Sequence, residues 1–377
     1  MNTKLKIVTI VGTRPELIRL SVLIPLLDRF FNHILVHTGQ NYDFELNQIF
    51  FDELSIRKPN HFLNCSTDSL GSTIADIIVK SEAILKQENP DALLILGDTN
   101  SSLSAIIAKR LKIPIYHMEA GNRSFDLNVP EEINRKLVDH ISDFNLVYSE
   151  HARRNLLNEG IHPRFIIYTG SPLREVINTY SGRISESKIL NKLSLSPKKY
   201  FLISTHREEN VDNKANLQEM IDSFNGLVEK YNLPLIISTH PRTRKRLEAL
   251  GVREMDSKIQ FMKPFGFYDY IKLQQNALCI LSDSGSVSEE AAILGVPAVT
   301  IRNSMERPEA MDTGSIMITG INKETILQSV ETTIQLSENC FVPNDYKIEN
   351  TSRIVLKLII GTAKLVHNWQ GVNQNRA

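Results

Sequence analysis

The stretch HMEAGNRSFDLNVPEEINR, residues 117–135, ends an apolar run on one glutamate and opens a proline-led helix on two more. Glu119 closes IPIYHM and is followed by Ala-Gly. An acid that ends a buried strand has little reason to be there unless it faces a site. Glu131 and Glu132 fall in a first helical turn, where the helix dipole favours negative charge with no function required. The apolar stripe of that helix is read as Ile133, Leu137 and Ile141, and Glu132 as a helix-start charge. Asp98 follows the run ALLILG. It or Thr99 could be a helix N-cap, or Asp98 could be a carboxylate that orients a partner or moves a proton. Carboxylates so placed are the residue types for general acid–base chemistry.

The cations and small residues after other apolar runs point to an anion. VGTRPELIRL sets Thr13-Arg14-Pro15-Glu16 after a glycine at a helix start, which offers N–H groups and Arg14 to an anion. A capped turn with surface arginines explains it as well. It is neither GxGxxG nor GxxxxGK[ST]. YFLISTHREEN ends a run on His206, and LPLIISTHPRTR repeats the device with His240, Arg242 and Arg244. Ser284-Gly285-Ser286 precedes a helix with Val287, Ala291 and Leu294 on one face. The turn offers hydroxyls and N–H groups to phosphate oxygens, and a serine N-cap accounts for it equally. Glu290 would reach a ribose, as acids do in dinucleotide folds. Arg307 adds a cation after the next run.

These residues need strand ends to hold them, and the texture supplies them. KIVTIVG, HILVHTG, ALLILGD, IPIYHME and FNLVYS alternate with helically spaced segments, and YFLIST, LPLIIST, KIQFM, ALCILSD and PAVTI repeat the pattern. Such alternation implies parallel sheets, and two doubly wound halves would turn strand C-termini towards each other across a cleft. Length, 377 residues, suits two domains. The expected divisions are 1–175, 176–345 and a last helical segment, 346–377, packing back across the domains, with a polar linker near 171–198. Lys+Arg and Asp+Glu are 43 each, so the net charge of +0 argues against a general nucleic-acid or membrane-surface binder. Cys65, Cys279 and Cys340 show no ligand spacing, so neither a disulfide framework nor a metal site is indicated. The N-terminal LKIVTIVG is too short for a signal peptide, and no apolar run spans a bilayer. The expectation is a cytoplasmic protein.

The pieces VGTRPELIR, HTGQNYD, LGDTNSSL, EAGNRS, PEEINR, HREEN, SDSGSVSEEA, LGVPAVTIR and ERPEA, in that order over residues 5 to about 335, resemble the non-hydrolysing UDP-N-acetylglucosamine 2-epimerases of bacteria. The resemblance implies an α/β fold of two Rossmann-like domains of the glycosyltransferase-B type, a homodimer, and no cofactor. It implies inversion at C2 of a UDP-2-acetamido sugar through loss of UDP to a 2-acetamidoglycal and its re-addition. It places Asp98, Glu119 and Glu131 in the acid–base set and His206 beside the leaving diphosphate. It places Arg14, Ser284, Gly285 and Ser286 at the phosphates, Glu290 at the ribose, Tyr270 near uracil, and Arg307 at diphosphate or sugar.

Departures concentrate near the sugar. Arg19 stands where the family often has lysine, Asn122 replaces leucine in EAGLR, the loop before PEE is shorter by two residues, and SGG becomes Ser284-Gly285-Ser286. In these the chain resembles the capsule and O-antigen branch that makes UDP-N-acetyl-L-fucosamine from its talo epimer; UDP-N-acetylglucosamine/UDP-N-acetylmannosamine is the other substrate expectation. Gln40, with Asn41 and Tyr42 after it, leaves a second, regulatory UDP-sugar site open. A transferase of the same architecture, a hydrolysing 2-epimerase and a non-catalytic UDP-sugar sensor are the alternatives.

Overall fold

The structure is a computed structural model that describes residues 4–39, 51–205, 213–239, 256–337 and 341–369. The chain forms two compact units: Met1–Thr179 with Ile348–Ala377, and Tyr180–Lys347 between them.

The first unit is a sheet of β1 (Lys6–Val11), β2 (Asn32–His37), β3 (His61–Phe62), β4 (Ala92–Leu96), β5 (Ile115–Ala120), β6 (Phe144–Val147) and β7 (Ile166–Tyr168). The order is β3-β2-β1-β4-β5-β6-β7 and every pairing is parallel. Parallel strands are covered on both faces and read as continuous apolar runs; all of β4, ALLIL, is buried. The helices are α1 (Arg14–Leu20), α2 (Leu23–Phe30), α3 (Leu70–Glu88), α4 (Ser104–Arg110), α5 (Pro130–Ile141), α6 (Glu150–Asn158) and α7 (Leu173–Thr179). On one sheet face Val8, Ile10, Leu93, Ile95 and Ile115 pack with Ile77 and Leu85 of α3, Ala105 and Ala108 of α4, and Val138 of α5. α3 starts on a Ser69–Ser72 capping box and stops at Asn89 with φ 42°.

The second unit begins with two short helices, α8 (Ser181–Glu186) and α9 (Ile189–Lys192). Its sheet holds β8 (Phe201–Thr205), β9 (Leu235–Thr239), β10 (Ile259–Met262), β11 (Cys279–Ser282), β12 (Ala298–Thr300) and β13 (Met317–Ile318), in the order β10-β9-β8-β11-β12-β13 and all parallel. Both sheets reverse their winding beside the first strand, at β1/β4 and at β8/β11. Open α/β sheets take ligands outside the strand ends at such switch points. The turns after β1, β4 and β11 carry Arg14, Asp98 and Ser284.

The boundary between the units, Thr179/Tyr180, falls inside the 171–198 stretch expected to link them, and α7, α8 and α9 fill most of that stretch, with Val176, Ile177, Ile184 and Ile189 buried. The short strands β3, β7 and β13 lie at or next to sheet edges and carry no long apolar run. Helix α15 (Thr351–Thr362, after α13, Glu309–Asp312, and α14, Lys323–Gln335) belongs to the first unit, where Thr351 donates to the Thr169 carbonyl at 3.0 Å and Thr362 meets the Tyr116 hydroxyl at 2.6 Å. Finally, α5 turns two of the three expected apolar residues outward: Ile133 is 54% and Leu137 48% exposed, while Ile141 packs against the core and Glu132, Asn134, Arg135, Val138 and Asp139 are buried. Among the described residues no helix is long and apolar enough to cross a membrane.

Candidate active site

The site begins at Gly12. A Cβ there would lie 2.5 Å from Thr38 Oγ1 and 3.0 Å from Ser101 Cβ, so the ends of β1, β2 and β4 close up only around a glycine. Pro15 stands in the first turn of α1, and Thr13 makes no side-chain cap. Glu16 reaches back instead. Its carboxylate accepts from the Gly12 N–H (2.5 Å) and from the hydroxyls of Thr13 (3.1 Å), Thr99 (2.6 Å) and Ser101 (3.3 Å). Burial pushes this carboxyl up to about 7, and the donors from Thr99, Gly12, Thr13 and Ser101 restrain the rise. Thr99 therefore spends its hydroxyl on Glu16 and makes no side-chain cap for the short 3₁₀ turn Asn100–Leu103.

Three residues on, and so on the same helix face, Arg19 is buried. Its Nε lies 3.4 Å from Glu119 Oε2, its Nη1 donates to Ser171 Oγ at 3.1 Å, and its guanidinium stands 5.7 Å from the Tyr148 ring centroid. Glu119 has φ 66° and sits where the β5–β6 register slips between Met118 and Ala120. A non-glycine residue held left-handed costs about 1–3 kcal/mol and persists only where its surroundings enforce it. Gly121 follows with φ 82°, and a Cβ there would lie 2.4 Å from the Ala152 carbonyl oxygen. This end of the strand is built to aim one carboxylate.

A buried chain of polar groups pins the two acid-bearing turns. His117 sets Nε2 2.9 Å from the Gly97 carbonyl oxygen and Nδ1 2.9 Å from Asp139 Oδ1. Asp139 Oδ2 accepts from the Gly121 N–H (3.1 Å) and from Arg123 (2.7 Å), and Arg123 forks onto Glu159 at 2.7 and 2.6 Å. Burial alone would raise the Asp139 carboxyl, but His117 and Arg123 hold it below the ordinary value.

Asp98 Oδ2 accepts from Arg135 Nε and pairs with Arg135 Nη2, both at 2.7 Å, and the Asp98 carbonyl accepts from Asn134 at 2.9 Å. Arg135 also donates to Glu132 at 3.0 Å. Glu132 is thus no solvated helix-start charge. It is fully buried and accepts from the Ser124 N–H (2.9 Å), the Ser124 hydroxyl (3.0 Å) and the Phe125 N–H (3.3 Å). Burial raises its carboxyl, and the Ser124 and Arg135 donors bring it below the usual range. Glu131 is half-buried in the first turn of α5, and Arg14 half-buried at the start of α1.

In the second unit, Ser284 and Ser286 set their hydroxyls 3.1 Å apart after β11, ahead of α12 (Val287–Leu294, after the intervening α10, Lys214–Tyr231, and α11, Phe267–Asn276). Ser286 makes no side-chain cap on α12. Arg307 donates to the Gly285 carbonyl at 3.2 Å and lies 3.4 Å from Glu289. A Cβ on Gly285 would lie 2.2 Å from Glu306 Oε1, which belongs to the buried Arg302–Glu306 pair. Glu290 accepts from Gln274 at 2.5 Å. Burial pushes the Tyr270 hydroxyl far up, beside Glu290, Ser204 and Gln274. Tyr270 is half-buried against the core rather than standing clear. His206, His240, Gln40, Asn41 and Tyr42 lie outside the described residues.

The structure therefore brings Arg19 to Glu119, and Arg307 to the Ser284–Ser286 turn. Sequence reasoning missed Glu16, Ser171 and Arg135 as members of this constellation, and Glu132 as its support. Only Glu16 had a signal: Thr13-x-x-Glu16 is a capping-box spacing.

Comparison with known proteins identifies the family. The family model for UDP-N-acetylglucosamine 2-epimerase matches residues 27–360. The structure of UDP-N-acetylglucosamine 2-epimerase from Rickettsia bellii is 48% identical, with a TM-score of 0.91 over 97% of this chain and 98% of that one. The Methanocaldococcus jannaschii UDP-GlcNAc 2-epimerase, solved with UDP-GlcNAc and UDP, is 35% identical, with a TM-score of 0.89 over 94% and 99%. UDP-2,3-diacetamido-2,3-dideoxy-D-glucuronate 2-epimerase of Pseudomonas aeruginosa is 33% identical over 88% of this chain and 92% of its own length. Two Rossmann-like units of the glycosyltransferase-B type are thus the fold of both this chain and its relatives. By its sequence match and by the sheets that carry its acids, the chain belongs to the UDP-N-acetylglucosamine 2-epimerase family.

Proposed function

We propose that the protein inverts C2 of a UDP-2-acetamido sugar without net hydrolysis, with UDP-N-acetylglucosamine and UDP-N-acetylmannosamine as the pair interconverted. The observation that carries this reading is Glu119. It is held left-handed at the register slip of β5 with Arg19 3.4 Å away, a carboxylate kept oriented beside a cation. A base takes the C2 proton, the electron pair of that C–H bond forms the C1–C2 double bond, and the C1–O bond breaks towards UDP. The resulting 2-acetamidoglycal then takes a proton at C2 on the opposite face while the UDP oxygen re-forms the bond to C1. Asp98, Glu119 and Glu131 form the acid–base set. His206 assists the leaving diphosphate, and Arg14, Ser284, Gly285, Ser286 and Arg307 hold its charge, as donors aimed at developing charge do. Glu290 holds the ribose, Tyr270 lies at the base, and Arg19 and His240 contact the substrate. No cofactor enters these steps.

The names of the relatives favour UDP-N-acetylglucosamine as substrate. A second reading, UDP-N-acetyl-L-fucosamine and its talo epimer, rests on Arg19 and Asn122 at the sugar side. A cytoplasmic homodimer completes the proposal; Phe125 (76% exposed), Leu127 (73%), Ile133 and Leu137 give the first unit an apolar surface for a second copy. The test is incubation with several UDP-2-acetamido sugars in deuterated water. Deuterium at C2 of both epimers with no net release of UDP is expected. Transfer without C2 exchange, or free N-acetylmannosamine, would replace the reading.

A further inference from the structure

We infer that Glu16 is a positioning residue whose carboxylate ties the turn bearing Arg14 to the turn bearing Asp98. The inference rests on the epimerase reading of those turns and adds to it a residue that touches no substrate.

The geometry is a two-sided clamp. From its own turn Glu16 takes the Gly12 N–H and the Thr13 hydroxyl, and from the turn after β4 it takes the hydroxyls of Thr99 and Ser101. Thr99 is the direct neighbour of Asp98. The two hydroxyls of the β4 turn also meet each other at 2.5 Å, so their protons share one acceptor system. Gly12 packs so closely on Thr38 and Ser101 that the turns have no slack to fill with another side chain. A glutamine has the same shape, but in place of one carboxylate oxygen it offers an NH₂. That group obliges Thr13, Thr99 or Ser101 to turn from donor to acceptor.

The clamp carries a signature that a packing role would not. Burial drives the Glu16 carboxyl up to about 7, so its charged form is unfavourable for the fold although four donors favour it. A carboxyl buried beside an acid at a switch point, costly to the fold whenever it is charged, is the pattern of a site tuned for function rather than for stability.

Two measurements test this on the full-length protein. In the first, Glu16→Gln is expected to lower kcat about 10- to 100-fold, the scale of a small misplacement of reacting groups. KM should stay within about twofold, and the melting temperature at pH 8 should be equal to or above the wild type. A kcat within about twofold of wild type, or a loss of kcat matched by a fall in melting temperature, overturns the inference. The second measurement needs no turnover. Amide hydrogen exchange of Glu16→Ala should quicken both in the segment around Gly12 and in the segment around Thr99–Ser101. Quickening confined to the Gly12 segment, or none, overturns the tie. A wild type with no C2 exchange on any UDP-2-acetamido sugar would sink the epimerase reading and leave the exchange experiment to decide the clamp.

Discussion

The Arg19 guanidinium lies 3.4 Å from the Glu119 carboxylate, and both side chains are nearly withdrawn from solvent. The same guanidinium donates to Ser171, so one planar group serves two partners from distant parts of the first unit. Lysine's compact ammonium lacks the planar fork that spans two fixed partners. Arg19→Lys should therefore lose about tenfold in kcat, and Arg19→Met at least about 100-fold, the scale of a misplaced proton-transfer group. UDP binding, measured by calorimetry, should change little in either; a parallel loss of UDP affinity would move Arg19 from the sugar to the phosphates.

Asp98→Asn, Glu119→Gln and Glu131→Gln should each lose at least about 100-fold in turnover. Steady-state rates with the best UDP-2-acetamido sugar check this. Retained activity in all three would remove the acid–base assignment. Asp98→Asn carries an additional effect, because it removes the charge that faces the Arg135 fork.

Stability should depend on pH through Glu16. Its folded carboxyl titrates near 7 against an ordinary 4.5, so the native state binds the proton more tightly than the unfolded chain. That contribution is fully present below about pH 4.5 and is lost as the pH rises through about 7. Its size is about 3 kcal/mol at about 1.4 kcal/mol per pKa unit. Glu16→Gln lacks the titration. Its denaturant stability relative to wild type should therefore rise by about this amount between pH 5 and pH 8. A flat difference across that range would show that the carboxyl is not raised.

His37 gives the opposite slope. It is buried, it stacks on Phe62 at 4.9 Å, and burial lowers its imidazole to about 4 from an ordinary 6.5. The folded state prefers the neutral ring, so stability present above about pH 6.5 is lost as the pH falls towards about 4. Melts of wild type and His37→Phe compared across that window should isolate it, wild type losing stability relative to the variant as the pH falls.

Gly285→Ala should weaken UDP binding at least about tenfold. The new Cβ would run into Glu306, 2.2 Å away, and push on its pair with Arg302. Calorimetry with UDP alone reads the effect without any assumption about the sugar. For the homodimer, Leu137→Glu should shift the protein towards monomer in sedimentation while leaving its circular dichroism unchanged, because Leu137 is 48% exposed within a single chain.

The central strands were legible because parallel strands, covered on both faces, show unbroken apolar runs. β3 and β13 are two residues long and β7 three, too short to show such a run. α5 was misread because helical periodicity assumes that the inward face is the apolar one. Its inward face instead sets Glu132, Asn134, Arg135 and Asp139 beside Val138, and each of the four polar side chains has a specific partner. Asp98 and Glu119 were legible because an acid that ends a buried run is conspicuous. Arg135, Ser171 and the Thr99 end of Glu16 were not. Their partners lie 37, 152 and 83 residues away, and single-sequence spacing does not reach that far.

The return of α15 to the first unit makes the chain a nested one: Tyr180–Lys347 is an insertion within a body that only the last residues complete. Val355, Leu356 and Ile359 are buried there, and Trp369 lies edge-on to Phe144. During synthesis the second unit emerges whole while the first still waits for its final helix. The first body closes last, although it is translated first, against the usual N-to-C order of domain folding. A stop codon before Ile348 would therefore damage the unit that carries Asp98 and Glu119, more than 200 residues upstream, and spare the one next to the cut.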